Sequence, residues 1–286
     1  MSIRLTVDST CDLDLKALED NNVGVAFLKA IDNSTGKEYL DRELSNSKLF
    51  GLLKLGHKFT TSCPSVGDYE KLFSESLETY DHVVHLNMSG KMSASHSTAL
   101  LAAQEFEPER ISIFDSKQIA MGFSSIVLNV VDYLKASPVL KDVVDYTKSC
   151  INKCELLITP NSIKYVTRTG RLDATKVKLA AAVMETFNLR IQLKMLDGIL
   201  QPVGKTRGTS VSNAIKYFGD ALKDLSNIDL GRIVLGYTDE EEELDELIES
   251  VPNIKKFKVI DKIKGCTVIA AHSGPSTYAI AYEKKT

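Results

Sequence analysis

The chain has 286 residues, of which 43% are hydrophobic and 26% charged, with a formal net charge of −3 and a pI near 6.0. This length exceeds a comfortable single core and predicts two α/β domains, at 1–160 and 161–286. The mildly acidic balance excludes a standing attraction to nucleic acid or an anionic membrane. The longest mostly apolar stretch, Gly122 to Leu134, carries Asp132 and is too short to span a bilayer, so no stable membrane insertion is expected. Asp8 interrupts any signal-peptide core directly after Val7. Five scattered cysteines then read as reduced thiols, and a cytoplasmic location is expected.

In chain order, Ile3–Val7 reads as a strand ending at Asp8-Ser9-Thr10, followed by a helix over Leu13–Asp20, a strand over Val23–Leu28 and a turn at Asn33–Gly36. Helices are predicted at Ser45–Leu55 and Ser65–Tyr80, a strand at His82–Leu86 and a helix at Ser93–Glu105. Strand Ile111–Phe114, helices Gln118–Lys135 and Leu140–Ile151, and strand Leu156–Thr159 close this series. Alternation at this spacing predicts a mostly parallel sheet with helices on both faces. The second half reads as helices Ser162–Val166 and Thr175–Thr186, then a hairpin of Leu189–Leu196 and Ile199–Gly204 around Asp197-Gly198. Helix Ser210–Leu225, strand Arg232–Tyr237, helix Glu240–Ser250 and strands Phe257–Asp261 and Tyr278–Tyr282 complete a mixed or antiparallel α/β domain.

Several catalytic signatures fail on inspection. Gly51 to Lys58 has the glycine spacing of a P-loop, but His57 precedes the lysine, no Ser or Thr follows it, and the segment is helical. His82 and His85 lie three apart in a strand and face opposite sides of it, so they cannot share a metal. Cys150 and Cys154 have no nearby histidine and make a poor metal site. No G-x-G-x-x-G, G-x-S-x-G or H-E-x-x-H is present. Neither cofactor nor metal is expected.

Hydroxyl-rich segments carry more. Asp8-Ser9-Thr10, Ser89 to Ser93 and Asp115-Ser116 all follow predicted strands and should line one rim of the parallel sheet, where ligands of such sheets settle. Thr61 to Ser65 precedes a helix and can join them. His272, after the apolar run Val268–Ala271, is followed by Ser273-Gly274-Pro275, which suggests a fixed loop holding the imidazole. Such donors suit an anion. They point to a binder, with a serine-dependent hydrolase or transferase as the rival: Ser93 as nucleophile, His272 as base, and Asp8 or Asp115 as its orienter.

These motifs together resemble those of the DegV family of bacterial fatty-acid-binding proteins, of the FakB type. Thr61-Ser62-Cys63-Pro64-Ser65 is similar to the family's T-S-Q-P-S, and Ser89-Gly90-Lys91-Met92-Ser93-Ala94 to its S-G-T-Y-x-S-A region. Thr169-Gly170-Arg171-Leu172 parallels G-G-R-I, and His272-Ser273-Gly274-Pro275 parallels H-x-G-P. Asp8-Ser9-Thr10 and Lys205-Thr206-Arg207-Gly208 also fall where the family would put them, so the match runs the whole length in order. Cys63, Lys91, Met92 and Thr169 depart from the family pattern.

The resemblance implies that a fatty acid such as palmitate or oleate lies between the two domains. Thr61 and Ser93 would donate to its carboxylate, with Ser62, Arg171 and His272 in or beside that network and Arg207 facing a partner. That partner is a dihydroxyacetone-kinase-type fatty acid kinase, whose acyl phosphate feeds phospholipid synthesis. The chain itself would be a carrier, not an enzyme. A fatty acid is ionised at pH 7, so burial of its carboxylate demands donors. Each buried CH₂ contributes roughly 0.8 kcal/mol, so about fifteen carbons give on the order of 12 kcal/mol before ordering costs.

Overall fold

The computed structural model describes residues 2–136, 139–168, 189–239 and 241–285. Three sheets organise them. The first has the order β2-β1-β6-β7, built from β1 (Ile3–Asp8), β2 (Gly24–Ala26), β6 (His82–Asn87) and β7 (Ile111–Asp115), and every pairing in it is parallel. β6 is buried along its whole length, as a strand covered on both faces must be. The helices α3 (Val66–Leu77) and α4 (Ser95–Ala103) cover one face through Tyr69, Phe73, Ala99 and Ala102. Ser65 caps α3 in a reciprocal capping box with Asp68, which satisfies two free N–H groups at once.

A six-stranded mixed sheet has the order β10-β9-β8-β13-β11-β12: β8 (Cys154–Thr159), β9 (Leu189–Leu196), β10 (Ile199–Arg207), β11 (Ile228–Tyr237), β12 (Val259–Lys264) and β13 (Tyr278–Lys284). The expected hairpin is present, with Asp197 at φ 49° and Gly198 at φ 78°, the left-handed pair that a two-residue turn requires. Helices α8 (Ser210–Ala221) and α9 (Glu242–Ser250) pack on one face of this sheet. Between the two sheets runs α5 (Ala120–Ala136), backed by α6 (Leu140–Lys153). Its Phe123, Ile126 and Val127 join Leu5, Val84 and Leu86 of the first sheet to Leu156, Val234 and Ala281 of the second in one apolar cluster.

Two sequence expectations are corrected by this arrangement. The strand at 156–159 does not close the parallel sheet: β8 pairs antiparallel with β13 and β9. An apolar run buried on both sides fits the centre of either sheet, so its local pattern carries no information on membership. A third, antiparallel sheet, β4-β3-β5, was not expected: β3 (Lys29–Asp32), β4 (Lys37–Leu40) and β5 (Phe59–Ser62) pack with α2 (Asn46–Lys54). Its strands are four residues each and mostly polar, too short for a clear period of two. The remaining helices are α1 (Leu15–Asp20), α7 (Ile163–Arg168) and α10 (Thr267–Ser273). The predicted helix at Thr175–Thr186 lies outside the described residues.

Candidate functional site

A cavity enclosing about 930 Å³, including its open mouth, lies between the first and second sheets. Its walls are apolar: Met88 follows β6, Met121 comes from α5, Ile158 from β8, Leu193 from β9, Leu200 from β10 and Val268 from α10. Gly236 on β11 leaves room for Met121, because a Cβ there would collide with the Met121 side chain. Ala120, at the start of α5, holds φ 46° where it lines the cavity. A left-handed alanine costs about 1–2 kcal/mol, and such strain concentrates at functional positions.

At the mouth this apolar space meets Thr61, Ser62, Cys63, Ser93 and His272, all half-buried. Thr61 stands on β5, whose backbone pairs with β3 at Ala30. Its Oγ1 shares a 2.8 Å hydrogen bond with His272 Nε2. The imidazole belongs to the last turn of α10 rather than to a loop, and α10 ends at Gly274, whose φ of 77° stops the helix. Val268–Ala271, read as an apolar run before a loop, is thus helix, one face of it lining the cavity. Ser93 sits between β6 and α4, and its Oγ accepts from Ser95 N–H at 3.2 Å.

Thr238 also lines the cavity and was not singled out from the sequence, although it follows β11 as the other hydroxyls follow their strands. Its Oγ1 donates to the Gly274 carbonyl at 2.8 Å and accepts from Thr277 N–H at 3.2 Å, fixing the segment after His272. Arg207 lies at the end of the edge strand β10, away from the cavity lining. Arg171, with the Thr169–Leu172 motif, lies outside the described residues.

Two segments expected to line the rim do other work. Asp8 is buried and accepts from Met88 N–H at 2.8 Å, Ser95 Oγ at 3.2 Å and Thr10 Oγ1 at 2.5 Å; burial raises its carboxyl pKa. Asp115 accepts from the backbone N–H groups of Gly90 and Lys117. Neither they nor Ser9, Thr10 and Ser116 line the cavity. Both acids brace the loops beside the site, and neither stands in the place of an orienter to His272. His82 bonds Ser112 and His85 bonds Thr6, so the two histidines point apart as expected. Among the described residues no group of three or more His, Cys, Asp or Glu could hold a metal ion, and no helix is long and apolar enough to cross a membrane.

An α/β protein with a mostly apolar cavity between two sheets, lined also by hydroxyls and an imidazole, has the form of a site suited to an amphipathic ligand. The chain belongs to the DegV family: the family described as "Uncharacterised protein, DegV family" matches residues 2–285. A DegV domain-containing protein of Caldanaerobacter subterraneus is 25% identical over 99% of both chains, and one of Clostridium perfringens is 26% identical over 98% of both. Among solved structures, the fatty-acid-binding DegV family protein of Thermus thermophilus superposes with a TM-score of 0.89 at 27% identity, covering 99% of this chain and 100% of its own. The Streptococcus pneumoniae Fatty Acid Kinase B3 protein loaded with linoleic acid shares the fold, with a TM-score of 0.83 at 19% identity over the whole of both chains.

Proposed function

We propose that this protein binds a long-chain fatty acid in the cavity and presents its carboxylate at the mouth to a separate fatty acid kinase of the dihydroxyacetone-kinase type. The observation that carries the reading is the make-up of the cavity: mostly apolar walls from Met88 to Leu200, with Thr61, Ser93 and His272 among the half-buried polar residues that line it. An acyl chain gains roughly 0.8 kcal/mol per buried CH₂ along the walls. A carboxylate needs charge-assisted hydrogen bonds, which the mouth hydroxyls can donate. Fatty-acid binding by the Thermus thermophilus relative supports the assignment of ligand class.

Thr61 and Ser93 are assigned as donors to the carboxylate, with Ser62, His272 and Arg171 in the surrounding network and Arg207 toward the kinase. A mouth position suits a group that another protein must reach. Denaturing extraction of the natively purified protein, followed by mass spectrometry, tests the reading. A long-chain acid recovered near one per chain is expected. Recovery of none, together with no uptake of added palmitate or oleate, overturns it. A kinase of the stated type should convert the bound acid to its acyl phosphate; failure of that step alone removes the partner and leaves the ligand.

A further inference from the structure

Helix α10 supplies Val268, Ile269 and His272 to the cavity, yet it has only seven residues and no side-chain cap of its own. A helix this short is not stable alone and takes its place from what it is tied to. The ties at its N-terminus come from the far end of the chain. Asp12 Oδ1 accepts from Cys266 N–H at 2.8 Å, and Asp41 Oδ1 accepts from Val268 N–H at 3.0 Å. Thr267 Oγ1 donates to the Leu44 carbonyl at 2.6 Å and accepts from Arg42 N–H at 3.1 Å.

Both carboxylates are buried, at 4% exposure for Asp12 and 2% for Asp41, and neither lines the cavity. They are themselves held. Asp41 Oδ2 accepts from Ser9 Oγ at 2.7 Å, and the Arg42 guanidinium donates to the carbonyls of Ser9 and Leu13. The positive end of α10 therefore faces two buried acids fixed to the end of β1, while its other end offers His272 to Thr61.

We infer that Asp41 and Asp12 are positioning residues for the head-group site: by holding α10 from its N-terminus they decide where His272 meets Thr61. The consequence for a ligand rests on the reading of the cavity as a fatty-acid site; the consequence for His272 does not. The shape of the anchor survives in Asp41→Asn, which keeps an acceptor and loses the charge. Charge-assisted bonds are roughly twice as strong as neutral ones, so the loss should let α10 leave its seat.

The test compares D41N and, as a second variant, D12N with the control D14N. Asp14 is an exposed carboxylate that caps α1 through Lys16 and Ala17, and its hydrogen bonds go to α1 rather than to α10. Two readouts are taken under conditions where urea unfolding shows each variant fully folded. One is the ring NMR signals of His272, assigned by their loss in His272→Gln. The other is the dissociation rate of carboxyl-¹³C palmitate, followed with its carboxyl resonance. At pH 8, above the Asp12 pKa of about 7, D41N and D12N should shift the His272 ring signals and speed dissociation about tenfold, corresponding to about 1.4 kcal/mol, while D14N moves neither. Unchanged His272 signals in folded D41N and D12N overturn the inference, even if both variants are less stable. If the wild-type protein takes up no palmitate while D41N still shifts the ring signals, the ligand reading fails and the positioning role stands.

Discussion

Thr61 and His272 are 211 residues apart in the chain and share a 2.8 Å hydrogen bond at the mouth of the cavity. One stands on a short strand of the three-stranded sheet, the other on the last turn of α10. The bond joins two polar groups that line a mostly apolar space, so each side chain has a use that its neighbours in sequence do not reveal.

The first prediction follows from that contact. Thr61→Val keeps the shape of the side chain and the β5–β3 pairing but removes the hydroxyl and leaves His272 Nε2 without that partner. The cost of one lost bond to a charged group is about 1.5–3 kcal/mol, which predicts a fatty acid released roughly ten- to a hundredfold faster. Ser93→Ala should act in the same direction. Displacement of a fluorescent acyl probe measures both, and unchanged release in the two variants would remove these residues from the head-group site.

Gly236 gives a prediction about the tail. Added as Gly236→Ala, a methyl would meet Met121, which is buried and forms part of the cavity wall. Overpacking of this kind costs about 1–3 kcal/mol, and the flexible Met121 side chain can yield only by moving. Bound acids recovered by extraction should shift to shorter chains, and the urea midpoint should fall. An unaltered chain-length profile would place Met121 away from the acyl tail.

His85 and Asp12 predict opposite slopes of stability with pH. Burial against Tyr69 and Phe73 lowers the His85 pKa to about 3, whereas the unfolded ring titrates near 6.5. As pH falls from 6.5 toward 3 the unfolded chain takes up a proton that the folded one refuses. Stability is then lost at up to about 1.4 kcal/mol per pH unit. His85→Gln should flatten that acid flank. Burial raises the Asp12 carboxyl to about 7 from an ordinary 3.8, so the folded protein holds a proton there that the unfolded chain has released. That contribution declines as pH rises from about 4 to 7, and D12N should abolish the decline. Urea titrations across pH 3–8 separate the two; parallel profiles for wild type and both variants would refute the assignments.

Removal of the ligand is predicted to destabilise the protein. A ligand bound only by the folded state at a hundred times its Kd adds about 2.7 kcal/mol. The delipidated protein should therefore melt several degrees lower by calorimetry, and palmitate should restore the transition in proportion to the logarithm of its concentration. Identical melting before and after delipidation would argue against an occupied cavity.

Local chemistry was legible from the residues alone. The Asp197-Gly198 turn and the strand signals over Ile3–Val7, His82–Leu86 and Ile111–Phe114 depend on neighbours within a few positions. Harder to read were segments whose state is imposed from outside. Phe59-Thr60-Thr61-Ser62 has one buried apolar residue in four and becomes a strand only because Lys29–Asp32 lies beside it. Val268–His272 lies in a helix whose start is held from far along the chain, by Asp12 at Cys266 N–H and by Asp41 at Val268 N–H. The rim residues Asp8 and Asp115 carry the right chemistry for a site, yet their oxygens are consumed by Met88, Ser95, Gly90 and Lys117.

By itself, then, the sequence determined two things: the alternating α/β pattern, and a stock of hydroxyls at strand ends and helix starts, both written in short-range periodicity and in which side chains can donate. The tertiary structure decided which donors face the cavity. Thr61, Ser93 and His272 reach the cavity while Asp8 and Asp115 do not, because a polar group buried by folding must be satisfied by whichever partner the fold brings within about 3 Å. For Asp8 those partners are backbone N–H groups and the hydroxyls of Thr10 and Ser95, and for the half-buried Asp115 they are backbone N–H groups. For Thr61 the partner is His272, held across the cavity mouth by α10.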